Sequence, residues 1–205
     1  MGYKGLIVPF PYKKENPQVP MKIGELTSIA PNLAKYYLDN KSVLDAQTGY
    51  SNKIIGKKDA GFYALARVGA YSFADNYVIM RDNSSWCAAV VTKVDTSWGG
   101  LVSPVFQNHA ISICENKNGG YITYDEAHYI CGILNSPIVY RYMMYSTDTR
   151  SFPIRPRINI PQYDPNNKKH VRISELSKLA HKLYDNEREI KKILLEINYL
   201  YLNII

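Results

Sequence analysis

"ITYDEAHYICGILNSPIVYRYM", residues 122–143, decides where the helical layer of this chain lies. Thr123 with Glu126 at the third position beyond it has the form of a capping box, in which a hydroxyl accepts from an orphan backbone N–H of the first helical turn. Ile130, Ile133 and Leu134 supply one apolar face. A helix is therefore predicted from about Tyr124 to about Leu134. Ser136 suits an N-cap and Pro137 a first helical residue, so a second helix is predicted to start immediately after the first.

Upstream, "FYALARV" (62–68), "NYVIMR" (76–81), "CAAVVTKV" (87–94) and "AISIC" (110–114) are short runs rich in β-branched and aromatic residues, bounded by Gly, Asn, Asp or Ser. They read as strands of an antiparallel or mixed sheet and not as βαβ units. The first 25 residues hold several prolines and no sustained period, so an irregular lead-in with one short strand at Leu6 to Val8 is expected. Pro31 opens a helix reaching about Ala46, with Leu33, Tyr37 and Leu44 near one face, and "QTGYSNKIIGKKDAG" (47–61) then reads as a polar, basic surface loop.

Downstream, Pro153, Pro156, Pro161 and Pro165 make "STDTRSFPIRPRINIPQYDPNN" (146–167) an extended, exposed segment. Ser174 is expected to cap a C-terminal helix in which Leu176, Leu183, Ile190, Ile197 and Ile204 recur at heptad spacing. Unbroken, it would span about 45 Å, and its outer half would pack on another helix. The alternative is a core helix broken near Asp185-Asn186. The expected fold class is α+β: a mixed or antiparallel sheet with flanking helices and a long C-terminal helix.

A chain of 205 residues, 46% of them hydrophobic, can bury a substantial core. No run of about 18 uncharged apolar residues exists, and the prolines and charges of "MGYKGLIVPFPYKKENP" interrupt any leader-like run, so a cytoplasmic chain that neither spans a membrane nor is secreted is expected. Cys87, Cys114 and Cys131, odd in number and set in apolar surroundings, read as buried reduced thiols. The net charge of +7 favours a polyanionic partner. Between Arg141 and Arg172 stand Arg141, Arg150, Arg155, Arg157, Lys168, Lys169 and Arg172, against Asp148 and Asp164 alone. Such a local excess suits a phosphate-contacting face.

Catalysis has no visible home. His109, His128, His170 and His181 lack metal-ligand spacing, and no P-loop, Rossmann fingerprint or serine-hydrolase elbow is present. The clusters "YDEAH" and "DNERE" fit helix capping and solvation. Asn135-Ser136-Pro137-Ile138 resembles a worn form of the Asn-Pro-Pro-Tyr tetrapeptide with which amino-methyltransferases hold a flipped base. Ile138 stands where an aromatic residue would stack on that base, and no upstream glycine-rich cofactor turn exists. The tetrapeptide is accordingly read as a helix junction.

Four stretches, "PNLAKYYLDNKSVLDAQ", "FYALARVGAYSFADNYVIMR", "ICGILNSPIVYRYMM" and "RINIPQYDPNNKKHVRISELSKLAHKL", together resemble the target-recognition (specificity) domain of type IIG and related N6-adenine DNA methyltransferase restriction-modification enzymes. The most specific signals are the Val-Gly-x-Tyr-x-Phe turn at Val68 to Phe73, the Leu-Asn-Ser-Pro after a helix, and "IPQYDPNN" before "SELSKLAH". Gln47 and Met80 depart from the Arg and Trp frequent in that family. A catalytic domain normally precedes such a domain, so the chain fits an excised fragment, a split subunit or a remnant.

The resemblance implies a non-catalytic specificity domain that binds double-stranded DNA beside a methyltransferase or endonuclease catalytic domain or subunit. It implies no cofactor on this chain, S-adenosylmethionine being expected on the separate catalytic domain alone. Residues 1–173 would form the recognition domain, and residues 174–205 a long helix packing on it or on a partner. The candidate DNA contacts are Lys53, Lys57 and Lys58, then Tyr71 and Arg81, Asn108 and His109, and Arg150, Arg155 and Arg157. Phosphate contacts would position the chain and base-edge contacts would specify sequence. The rival is a protein-interaction module acting through its C-terminal helix. A small enzyme, the third possibility, would require a nucleophile or cofactor site that the sequence does not display.

Overall fold

A computed structural model describes residues 8–46, 61–96, 100–106 and 110–205. It is of mixed α+β class, and its sheets are antiparallel. By backbone contacts the chain divides into two units, Met1–Phe73 and Ala74–Ile205. The expected strand at Leu6 to Val8 and the basic loop 47–61 lie largely or wholly outside the described residues.

In the first unit, strands β1 (Tyr12–Lys13) and β2 (Asn16–Pro20) pair antiparallel and are followed by helices α1 (Ile23–Ile29) and α2 (Pro31–Asp39). The lead-in expected to be irregular thus contains a hairpin and a short helix. Pro31 opens α2 as expected, but the helix breaks at Asn40 before residues 41–46 resume it. "FYALARV" forms turns and no strand. Its rings serve packing instead: Tyr63 stacks on Tyr37 with centroids 4.8 Å apart and donates its hydroxyl to Met21 O. The Tyr12 hydroxyl accepts from the Leu65 amide. Strand-like composition was overridden by tertiary contacts.

The second unit is built on strand β3 (Asn76–Arg81), flanked by β4 (Ala88–Thr92) and β7 (Ala110–Ile113), both antiparallel to it. A separate pair, β5 (Val94–Asp95) and β6 (Leu101–Val102), lies between them in sequence. Tyr77 to Met80 are all buried because β3 is covered on both faces. Val78 and Met80 join the main core, whereas Tyr77 and Ile79 pack with Cys114 and Phe106.

Helix α3 (Tyr124–Leu134) has the predicted bounds and the predicted cap: Thr123 Oγ1 accepts from the Glu126 N–H at 3.2 Å. Helix α4 (Pro137–Ser146) follows directly. Ser136 holds the N-cap position by backbone geometry alone. Its hydroxyl is buried without a hydrogen-bond partner among the described residues, so the expected side-chain cap does not form.

The C-terminal region departs from the single long helix. Helix α5 (Lys168–Lys182) begins well before Ser174, with Asn167 Oδ1 accepting from the Lys169 N–H at 2.9 Å. The expected boundary at residue 173 falls inside it. Ser174 is a buried mid-helix residue whose hydroxyl donates to Asp125 O. Helix α6 (Glu187–Leu202) starts afresh at Asn186, whose Oδ1 accepts from the Glu189 N–H. Lys169 Nζ reaches Asn203 O at 3.0 Å, so the start of α5 lies beside the end of α6 and the two form an antiparallel hairpin. The break therefore falls at the Asp185-Asn186 position given as the alternative. Leu176 and Ile197 of the heptad stripe are buried in the chain's own core, with Leu183 and Ile204 packed against it.

Helices α3 and α5 approach closely at Gly132, where an added Cβ would sit 3.0 Å from Ile173 Cγ2. The proline-rich segment is held by two buried tyrosines of this layer: Tyr129 donates its hydroxyl to Pro161 O and Tyr201 to Asn159 O. The abundance of tyrosine over phenylalanine is used here, each ring filling the core while its tip satisfies irregular backbone.

Candidate nucleic-acid interface

The basic loops of the second unit are built onto its core by the turn between β3 and β4. This turn, 82–87, contains Ser84 at φ 67°, a left-handed conformation. Its backbone binds the segment after α4: the Ser84 N–H donates to Thr149 O at 2.7 Å, and the Phe152 N–H donates to Asp82 O at 2.6 Å. Phe152 and Trp86 are both buried and meet edge to face at 5.4 Å. The Trp86 indole N–H donates to Leu134 O at 2.8 Å. Arg150 thus lies on a loop tied by backbone bonds to the turn that Arg81, the last residue of β3, leads into.

The remaining basic residues differ in how far they are already neutralised. Arg155 and Arg157 are exposed and have no ion pair among the described residues, as is also true of Arg81, Arg141 and Lys168. Arg150 is paired with Asp148, Nη2 to Oδ2 at 2.9 Å, and the two hold each other charged: the Arg150 hydrogen bond lowers the Asp148 pKa, and that of Arg150 is raised in turn. Lys169 spends its ammonium on the Asn203 carbonyl. Arg172 bonds Glu196 at 2.9 Å across the α5–α6 hairpin and lies 3.7 Å from Glu175, so it belongs to the helical scaffold and leaves the expected basic face.

Of the other candidates, Tyr71 lies in the first unit. It is half exposed and donates its hydroxyl to the Arg67 carbonyl. Lys53, Lys57, Lys58, Asn108 and His109 lie outside the described residues.

Asn135 has a structural task that accounts for its place in the tetrapeptide. β4 lies at the edge of its sheet. Asn135 closes that edge: its Oδ1 accepts from the Ala88 N–H at 2.9 Å and its Nδ2 donates to Ala88 O at 2.8 Å. The next outward-facing amide, Val90 N–H, donates to His181 Nε2 at 3.0 Å, which leaves His181 Nδ1 as the donor to Ser177 O at 2.8 Å. Side chains of two helices thereby cap an edge that would otherwise be open to pairing. Both functional ends of the Asn135 amide are engaged, and none is left for a base.

His128 shares a 3.1 Å hydrogen bond with Ser177 Oγ, and its ring packs edge to face on His181 at 4.8 Å. Both His128 and Ser177 are buried, which gives the pair no room for a substrate. Burial, with smaller contributions from the neighbouring His181 ring and the Lys178 ammonium, lowers the His128 pKa to about 4. Cys131 and Cys114 are buried free thiols whose pKa values burial pushes up to about 12 and about 11. Cys87, expected to be buried, is exposed.

A cleft of about 160 Å³ lies beside β7 and α3, lined by Glu115, Asn116, Lys117, Glu126, Gln162 and Tyr163 among others. It is smaller than the roughly 300–1,000 Å³ usual for ligand sites. Among the described residues no group of His, Cys, Asp and Glu side chains could hold a metal, and no helix is long and apolar enough to cross a membrane. No protein-family model and no curated protein matches the chain.

Proposed function

We propose that this chain is the non-catalytic DNA-recognition module of a restriction-modification DNA methyltransferase, acting in the cytoplasm on duplex DNA together with a separate catalytic domain or subunit that carries S-adenosylmethionine. The observation that carries the reading is the loop system joined at Ser84–Thr149 and Asp82–Phe152, which follows Arg81, holds Arg150 and leads into Arg155 and Arg157, two cations with no carboxylate partner among the described residues. Cations held on anchored loops, without acidic partners, suit an array of phosphates better than they suit a protein core. The order of motifs shared with target-recognition domains supports the same reading.

A salt titration of binding to duplex DNA tests it. The logarithm of the affinity should fall linearly with the logarithm of salt concentration, by about 0.9 for each phosphate contacted. Arg155→Ala and Arg157→Ala should each weaken binding on all sequences and reduce that slope by about 1, with little change in melting temperature. Equal retention of the chain on DNA at low and high salt would remove the proposal.

The interaction-module reading keeps one observation in its favour. Although Leu176 and Ile197 of the heptad stripe are buried, Leu195 and Tyr199 of α6 are 63% and 68% exposed one turn apart. Association through such a face would be nearly indifferent to salt.

A further inference from the structure

Resting on the DNA-binding reading, we propose that Arg150 reads a guanine in the major groove, with Asp148 as its positioning residue, while Arg155 and Arg157 contact phosphates. The pair lies within one loop. Arg150 Nε donates to Asp148 Oδ1 at 3.1 Å and Oδ2 at 3.3 Å, and Nη2 donates to Oδ2 at 2.9 Å. The Arg150 backbone N–H donates to Asp148 Oδ1 at 2.9 Å, so the carboxylate is itself fixed by the turn. That turn is tied to the sheet through the Thr149 carbonyl and Phe152 amide bonds.

The side-on geometry uses one edge of the guanidinium and leaves another free. Five N–H donors lie in one plane, and Asp148 occupies the Nε–H and one hydrogen of Nη2. The end edge keeps a hydrogen on Nη1 and one on Nη2, parallel and directed away from the carboxylate. This fork matches the O6 and N7 acceptors that guanine presents in the major groove. The Arg150 side chain is 90% exposed, so the edge is accessible.

Charge decides between a base and a phosphate. The paired Arg150 and Asp148 sum to no net charge, and the carboxylate would repel a phosphate brought to the same place. A neutral base edge needs directed donors more than it needs charge. Arg155 and Arg157, with no carboxylate partner among the described residues, keep the full charge that a phosphate rewards. The pair also has no evident part in stability. It links residues two apart in one exposed loop, where such pairs contribute little. Arg172–Glu196, by contrast, joins two helices.

The test begins with the purified chain and a pool of DNA duplexes with a randomised core, from which the preferred site is selected. The preferred site should contain an invariant G·C pair. Replacing that guanine by 7-deazaguanine, which lacks N7, should weaken binding by about 5- to 150-fold. Arg150→Lys and the double variant Arg150→Ala/Asp148→Ala, neither of which changes the net charge, should lose that discrimination at one position while the salt slope stays unchanged. Asp148→Asn should relax the same position and strengthen binding to unrelated sequences.

A uniform loss of affinity for the double variant Arg150→Ala/Asp148→Ala, with the slope reduced by about 1 and discrimination kept, would assign Arg150 to phosphate and overturn the inference. So would full discrimination retained by the Arg150 variants, or indifference to 7-deazaguanine at every selected guanine. In these cases duplex binding itself still stands. If the unmodified chain binds no duplex in a salt-dependent way, the DNA-recognition reading fails and this inference fails with it.

Discussion

Asn135 and His181 show how single polar side chains decide whether a sheet edge is tolerable. The edge of β4 is closed by the Asn135 amide at Ala88 and by the His181 ring at Val90. Asn135→Ala would leave the Ala88 N–H and C=O unpaired, a loss of about 2–3 kcal/mol, to be measured as a lowered urea midpoint. An unchanged midpoint would show that water replaces the amide at no cost. His128 makes the unit sensitive to acid. Its pKa falls to about 4 in the folded chain from 6.5, so the unfolded chain takes up the proton first. Stability is complete above about pH 6.5 and is lost as the pH falls towards 4, by on the order of 3 kcal/mol in all. His128→Gln should shrink the difference between urea midpoints measured at pH 7 and pH 4.5. An undiminished difference would place the acid sensitivity elsewhere.

At the level of elements, the heptad repeat and the chain break work together. Leu176 and Ile197 would lie on one stripe of a continuous helix, and they meet in the core because Asn186 caps a new helix and turns the chain back. Ile197 is fully buried, so Ile197→Ala should cost about 2–4 kcal/mol by calorimetric melting, without altering the self-association of the chain. A wild-type melting temperature for that variant would mean that the stripe is not core. Gly132 has a comparable role between α3 and α5, since the approach of Ile173 leaves little space for a side chain.

For the whole molecule, the proposal separates recognition from chemistry. Given S-adenosylmethionine carrying a labelled methyl group and duplex DNA, the chain alone is expected to transfer no methyl group. Added to a catalytic subunit that lacks this domain, it is expected to restore the choice of site. Methyl transfer by the chain alone would refute the reading of Asn135-Ser136-Pro137-Ile138 as a helix junction. Unchanged site choice with and without the chain would refute the specificity role.

What the sequence by itself determined is what depends on near neighbours. The Thr123–Glu126 cap, Pro31 and Pro137 as first helical residues, and β3, β4 and β7 were legible because a cap, a fixed φ or a β-branched run acts within a few residues. Turns at 62–68 and the exposure of Cys87 were not, since each depends on partners distant in the chain, and the start of α5 was missed although its Asn167 cap is local. The same holds for the candidate interface. Arg150, Arg155 and Arg157 could be nominated from local charge, and the Asp148 that pairs with Arg150 stands two residues away, but only tertiary structure tied the loop of Arg150 to the turn that follows Arg81. It also gave Asn135 to the sheet and Leu176 and Ile197 of the heptad stripe to the core, because which surface an amide or an apolar stripe meets is settled by packing between elements and not by the spacing of residues along one of them.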